Sequence, residues 1–142
     1  MTTQQQDTSI PAAIPGLARL RSNCMGAGVL LIVQFALGIG VNLYVTLPAH
    51  KAFFSTVFGS AVLAAHVIVA LLLLGASISA LVRAIRAHRA VVFTSLGVAA
   101  IVAAWIGGSS FVSNQSNGAS LTMALATAAG MFSYLAAVFS LR

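Results

Sequence analysis

The sequence predicts an all-α fold: a polytopic membrane four-helix bundle with both termini on the cytoplasmic side. Three observations predict it. The chain is 60% hydrophobic and carries only 7 Lys or Arg and 1 Asp or Glu in 142 residues, whereas roughly a quarter of a soluble domain is charged. Four apolar stretches each exceed the roughly 20 residues that cross a hydrocarbon core. Nearly all basic residues fall on one side of an even-numbered topology.

Residues 1–18 are polar and irregular, with Gln4, Gln5 and Gln6 in a run and Pro11 and Pro15 interrupting any helix. This composition predicts a disordered cytoplasmic tail. It has no basic n-region. The apolar stretch after Arg19 and Arg21 also outruns the roughly 7–15 residues of a signal-peptide core, so the segment does not read as a secretory signal. Residues 19–142 form one transmembrane domain. Span one covers residues 24–47 and stops at Pro48. Span two covers 54–82 and ends at Arg83, span three 90–112, and span four 119–141. Each must be helical, because backbone groups in lipid have no water to bond. Strands would be half as long and would alternate polar with apolar residues.

Arg19 and Arg21 precede span one, Arg83, Arg86 and Arg89 separate spans two and three, and Arg142 follows span four. Only Lys51 lies on the other side. The positive-inside rule makes the arginine side cytoplasmic and places the chain in the cytoplasmic membrane. The same distribution argues against nucleic acid as a partner, since the charges cap apolar segments and form no stripe. Cys24 is the single cysteine, which excludes an intrachain disulfide and a C-x-x-C site. It reads as a small apolar side chain near the cytoplasmic end of span one.

Helices in lipid associate through close packing. Gly97, Ala100, Ala104 and Gly108 share one face of span three, and Thr122, Ala126, Gly130, Ser133 and Ala137 share one of span four. These small-residue faces predict a tight antiparallel hairpin of spans three and four.

No Asp, Glu, Lys or Arg lies deep in any span, and Asp7 is in the tail. A carboxylate-driven antiporter, a two-carboxylate site and an acidic metal site therefore have no residues to build them, and no catalytic set is assigned. The polar residues left in the spans are chiefly Gln34, Asn42, His66 and Ser109. Counting back from Arg83 puts His66 near the outer face, level with Asn42 and Met123 and just below Ser109. Gln34 falls near the midplane, on one face with Gly38 and Asn42. His66 has two readings. It is a neutral histidine bonded to Asn42, Ser109 or a carbonyl, or it is an axial ligand to haem b. His50 and His88 fall in loops or at span ends.

The stretch Val33 to Pro48, VQFALGIGVNLYVTLP, with Ala65-His66 and the Leu-rich run to Arg83, resembles small four-span membrane proteins of actinobacteria. That resemblance implies an architecture and no activity. Spans one-two and three-four also look like a tandem repeat of two helical hairpins, with Gly38 answering Gly107. In this respect the chain resembles half of a haem A synthase and four-helix b-type membrane cytochromes. In those families both even-numbered helices supply a histidine, and here span four has none. The resemblance then implies His66 with Met123 as ligands, or two His66 residues meeting across a homodimer. The catalytic acidic residue of haem A synthase has no counterpart.

The leading expectation is a non-catalytic accessory, assembly or scaffold component whose partners are the lipid bilayer and other membrane proteins or further copies of itself. The alternatives are a b-type haem protein and a small-solute transporter or channel.

Overall fold

Hydrocarbon offers a backbone amide no partner outside its own helix, and the described part of the chain is helix throughout, without strands. The computed structural model describes residues 15–45 and 53–142. The tail up to residue 14 and the loop carrying Pro48, His50 and Lys51 lie outside the described residues. Five helices follow in order: α1 Pro15–Tyr44, α2 Phe53–Phe58, α3 Ala61–Ala87, α4 Val91–Asn114 and α5 Asn117–Ser140. Four of them, all but α2, are long and apolar enough to cross a membrane.

The boundaries differ from the sequence expectation in two places. Residues 15–18, expected in the tail, open α1. Pro15 takes the first helical position, where its missing N–H costs nothing and its fixed φ suits the helix. Span two is not one helix from residue 54. It breaks after Phe58, and Ser60 (φ −134°, ψ 121°) restarts it as the N-cap of α3, its side chain accepting from the Leu63 N–H.

The connections are short. His88, at φ 50°, ends α3 with its N–H on the Ala84 and Ile85 carbonyls, and Ala90, at φ 56°, opens α4. Gln115 closes α4, and Ser116 caps α5 by accepting from the Ala119 N–H at 3.2 Å. Such turns allow only antiparallel neighbours. The helices stand in the ring order α1, α3, α4, α5. The α4–α5 pair is the most extensively packed, then α1–α3, while the α3–α4 seam is the thinnest.

The inward seams step by alternating threes and fours, the spacing that keeps one helix face on its neighbours. On α1 the buried Leu20, Cys24, Ala27 and Leu31 are followed at the same steps by Gln34, Gly38 and Val41. On α3 the steps run through Leu63, His66, Ala70, Leu73, Ser77, Ala80 and Ala84. The two ends of the bundle then differ. At the arginine end, Leu20, Cys24, Ser77, Thr94 and Tyr134 are fully buried. Toward the other end Gln34, Gly38, His66 and Ala70 border a hollow, beyond which Val41, Leu63 and Val57 of α2 form a second, smaller apolar cluster.

Small residues set the α4–α5 distance, though not all on the face expected. Gly97 lies under the Tyr134 ring: a Cβ there would sit 2.7 Å from Cε2 and Cζ. Gly130 packs on Leu31 and Ala100, and Gly108 faces the Met123 sulfur. The nearest backbone approach belongs to Gly107, where a Cβ would stand 3.1 Å from the Met123 nitrogen and 3.2 Å from the Ala119 carbonyl oxygen. Ala104 faces the hollow, Ala126 is half-buried, and Thr122 is exposed with its hydroxyl on the Gly118 carbonyl.

Gly97→Ala should cost about 1–3 kcal/mol, because the enclosed ring of Tyr134 has nowhere to retreat. Gly118→Ala, with nothing within 4 Å of the new methyl, should be neutral or slightly stabilising. Unfolding titrations in mild detergent measure both, and equal effects would refute this packing.

Candidate functional site: a polar pair in an apolar cavity

Gln34 lies on the inward seam of α1 and His66 on that of α3. Their side chains meet, Gln34 Nε2 to His66 Nε2, at 3.1 Å. Gly38, one turn after Gln34, makes room for the ring: a Cβ there would lie 3.3 Å from His66 Cε1. One helix thus supplies both the partner and the space for the imidazole.

The partner differs from the sequence expectation, which favoured Asn42, Ser109 or a carbonyl. The cause is length. α1 has 30 residues, about 45 Å at 1.5 Å per residue, and exceeds the hydrocarbon core. Depth counted from one end of a span is then loose by more than a turn. Antiparallel packing brings Gln34, not Asn42, level with His66.

The pair borders a cavity of about 320 Å³ enclosed by the four long helices, with Val57 of α2 at one side. Asn42, Ser109 and Met123 line it too, so the expected cluster of Gln34, Asn42, His66 and Ser109 shares one space. Within it only Gln34 and His66 bond to each other; Asn42 and Ser109 are largely exposed at the rim. Most of the remaining wall is apolar, with Leu31, Leu73 and Ile101 towards the packed half. Trp105, one of the polar residues the sequence leaves in span three, also lines the space, beside the four expected to cluster.

Two buried polar atoms at the pair have no partner, Gln34 Oε1 and His66 Nδ1. Which atoms these are depends on how the amide and imidazole are assigned, but their number does not. If the amide N–H donates to Nε2, the proton sits on Nδ1, and the pair presents an Nδ1–H donor and an Oε1 acceptor. If the amide is turned and its oxygen accepts from Nε2–H, Nδ1 becomes the acceptor and the amide NH2 the donor. In both forms one donor and one acceptor remain unmet.

The lining also bears on haem b. Among the described residues it holds one imidazole, whose Nε2 is engaged by Gln34, and neither a second His nor any Lys or Arg to meet propionates. The Met123 sulfur packs against Gly108. Among the described residues no group of three or more His, Cys, Asp or Glu is placed to hold a metal ion. The described walls do not fit a haem.

A double-mutant cycle tests the pair. His66→Leu or Gln34→Leu alone should destabilise, since each strands a buried polar partner. The double replacement should recover part of the loss, with a coupling of about 0.6 kcal/mol, as for interhelical hydrogen bonds in membranes. Strictly additive losses would show that the two side chains do not interact. Compared with protein-family models, curated proteins and solved structures, the chain finds no match, so the reading of this site rests on its own residues.

Proposed function

We propose that this small integral membrane protein is a non-catalytic component of a membrane assembly, acting through helix contacts within the bilayer. The observation that carries this reading is a set of open glycines. Nothing stands within 4 Å of a Cβ built at Gly26, Gly28 or Gly75. The Asn23–Ser79 hydrogen bond of 3.4 Å and the Gln34–His66 contact set the α1–α3 register, and that register puts Gly26 about level with Gly75. A glycine inside a helix costs roughly 0.5–1 kcal/mol relative to alanine. On a lipid-facing surface its gain is close approach by another helix. The partner is another membrane protein or a second copy of this chain.

The composition supports the same reading, since the single acidic residue is Asp7 and the spans hold no carboxylate for acid-base or metal chemistry. Haem binding ranks below it because of the lining described above. Transport by a single copy ranks below it because the arginine half of the bundle is packed shut around Leu20, Cys24 and Tyr134.

We further propose that both termini are cytoplasmic. The N-terminal part of α1 (Arg19, Arg21), the C-terminal part of α3 (Arg83, Arg86) with Arg89 just beyond it, and Arg142 after α5 lie at one end of the antiparallel bundle, as the positive-inside rule requires of a cytoplasmic face.

Two measurements check these proposals. Purified in mild detergent, the wild type should carry a stoichiometric membrane partner or form a defined homo-oligomer. Gly26→Leu and Gly75→Leu should weaken that association at least tenfold while leaving helix content intact. A monodisperse monomer with nothing co-purified would refute the assembly reading. A fluorescent reporter fused after Arg142 should light up in the cytoplasm, and a phosphatase reporter inserted at Gln115 should be active outside. The reverse pattern would invert the topology.

A further inference from the structure

Hydroxyls on membrane helices commonly bond back to their own preceding turn, and Ser77, Thr94, Thr127 and Ser133 do so. Ser79 does not. It meets Asn23 Nδ2 across the α1–α3 interface at 3.4 Å. The contact uses one hydrogen. In either assignment of the amide, two further N–H or O–H donors of the pair have no acceptor among the described residues. Neither residue belongs to the inward seams, and both are half-buried, which puts their contact in the outer groove between the two helices.

Four residues farther toward the arginine end stand Arg19 on α1 and Arg83 on α3. Residues four apart share a helix face, and the two helices are antiparallel. The arginines therefore flank this groove at one level, a turn beyond the Asn23–Ser79 contact, and both are exposed. Depth follows from length. α1 and α3 have 30 and 27 residues, about 40–45 Å at 1.5 Å per residue, which matches the ~40–45 Å of a bilayer with its headgroups. Arg19 and Arg83 each lie about 6 Å inside a helix end, in the headgroup layer.

The positive-inside rule explains why cations gather at this end. It is met by Lys and Arg alike, and it does not require two of them to converge on one groove. Every Lys or Arg at this end is an arginine, whose planar fork pairs with phosphate through two parallel hydrogen bonds. The described residues include no Asp or Glu, so no carboxylate side chain among them answers the two convergent charges. Arg21, Arg86 and Arg89 nearby would repel the ammonium of a zwitterionic headgroup.

We propose that Arg19, Asn23, Ser79 and Arg83 form a binding site for an anionic membrane phospholipid. The arginines hold its phosphate oxygens, and the Asn23–Ser79 pair donates to ester oxygens one turn deeper. A helix packed over Gly26 and Gly75 lies about two turns deeper than the arginines and leaves the site open.

The full-length protein in mild detergent is mixed with dioleoyl phosphatidylglycerol or dioleoyl phosphatidylcholine, and bound lipid is counted by native mass spectrometry. The first phosphatidylglycerol should bind about tenfold tighter than phosphatidylcholine. Arg19→Gln/Arg83→Gln should erase that preference. Arg21→Gln/Arg89→Gln removes the same charge from outside the groove and should keep most of it. Should the first variant fail to fold, Arg83→Gln against Arg89→Gln makes the same comparison. Asn23→Ala/Ser79→Ala, which keeps every charge, should weaken phosphatidylglycerol about threefold, the worth of a modest hydrogen bond. Equal losses in the two arginine variants would reduce the effect to the general field of this end and overturn the proposal. Equal binding of the two lipids, or an unchanged affinity in Asn23→Ala/Ser79→Ala, would overturn it too. Displacement of the bound lipid by millimolar inorganic phosphate would point to a soluble anion as the ligand and likewise overturn it.

Discussion

A polar group inside a bilayer has no water to fall back on, and the rest of this structure depends on that constraint. It makes the spans helical, since only a helix satisfies its own backbone. It also governs the side-chain hydroxyls. Thr94 donates to the Ala90 carbonyl at 3.0 Å, Ser77 to Leu74 at 2.8 Å and Thr127 to Met123 at 2.8 Å. Each returns to the preceding turn of its own helix, so these residues lie on buried seams without needing a partner across the bundle. Gln34 and His66 cannot do this. Their polar atoms reach too far from their own backbone, so they must meet across the α1–α3 interface, where they help hold the register of the two helices.

The same constraint explains why the bundle has two unlike halves. Lipid supplies no hydrophobic pressure to close a gap between helices, because tails are as apolar as leucine. Closure comes from side-chain shape. At the arginine end the shapes complement one another: Tyr134 fills the space that Gly97 leaves, and Leu31 fills the space beside Gly130. At the other end Gly38, Ala70, Ala104 and Gly108 line the cavity, and the His66 and Met123 side chains that pack on Gly38 and Gly108 do not fill it. α4 and α5 are nevertheless in near-backbone contact there, at Gly107. The hollow therefore comes from the small side chains and is not a gap between splayed helices.

How much of this was legible in the sequence follows from the solvent. Span number and type were plain, because length and apolarity suffice to show them. The face each helix turns inward was much harder to read. In a soluble bundle the outer face is polar and the seam stands out; here Ile32, Ile68, Ile106 and Leu125 face outward, each more than half exposed, and are as apolar as anything inside. The informative residues were instead the small and polar ones at alternating steps, Cys24, Ala27, Gln34 and Gly38 on α1 and His66, Ala70, Ser77, Ala80 and Ala84 on α3. The break before α3 was missed because Gly59 and Ser60 sit inside an apolar run, although Ser60 carries the ordinary chemistry of an N-cap. The Gln34–His66 contact was missed because depth was counted from charges at helix ends that extend beyond the membrane.

Three buried polar atoms lack a partner among the described residues, Gln34 Oε1, His66 Nδ1 and the Tyr134 hydroxyl, and they do not carry the same meaning. Tyr134 is fully buried in the packed half. Gly97 lies against its ring, Ser77 is a neighbouring hydroxyl, and Tyr134 is not among the residues lining the cavity. An unmet hydroxyl in a filled space can be met only by a small adjustment of its neighbours, so Tyr134 reads as an anchor of the bundle. Gln34 and His66 line the cavity, yet Gln34 Oε1 and His66 Nδ1 themselves are closed off from it, Nδ1 on the side of Gly38. Their unmet donor and acceptor are instead the cost of a contact across the α1–α3 interface, which fixes the register of the two helices by joining one polar atom from each.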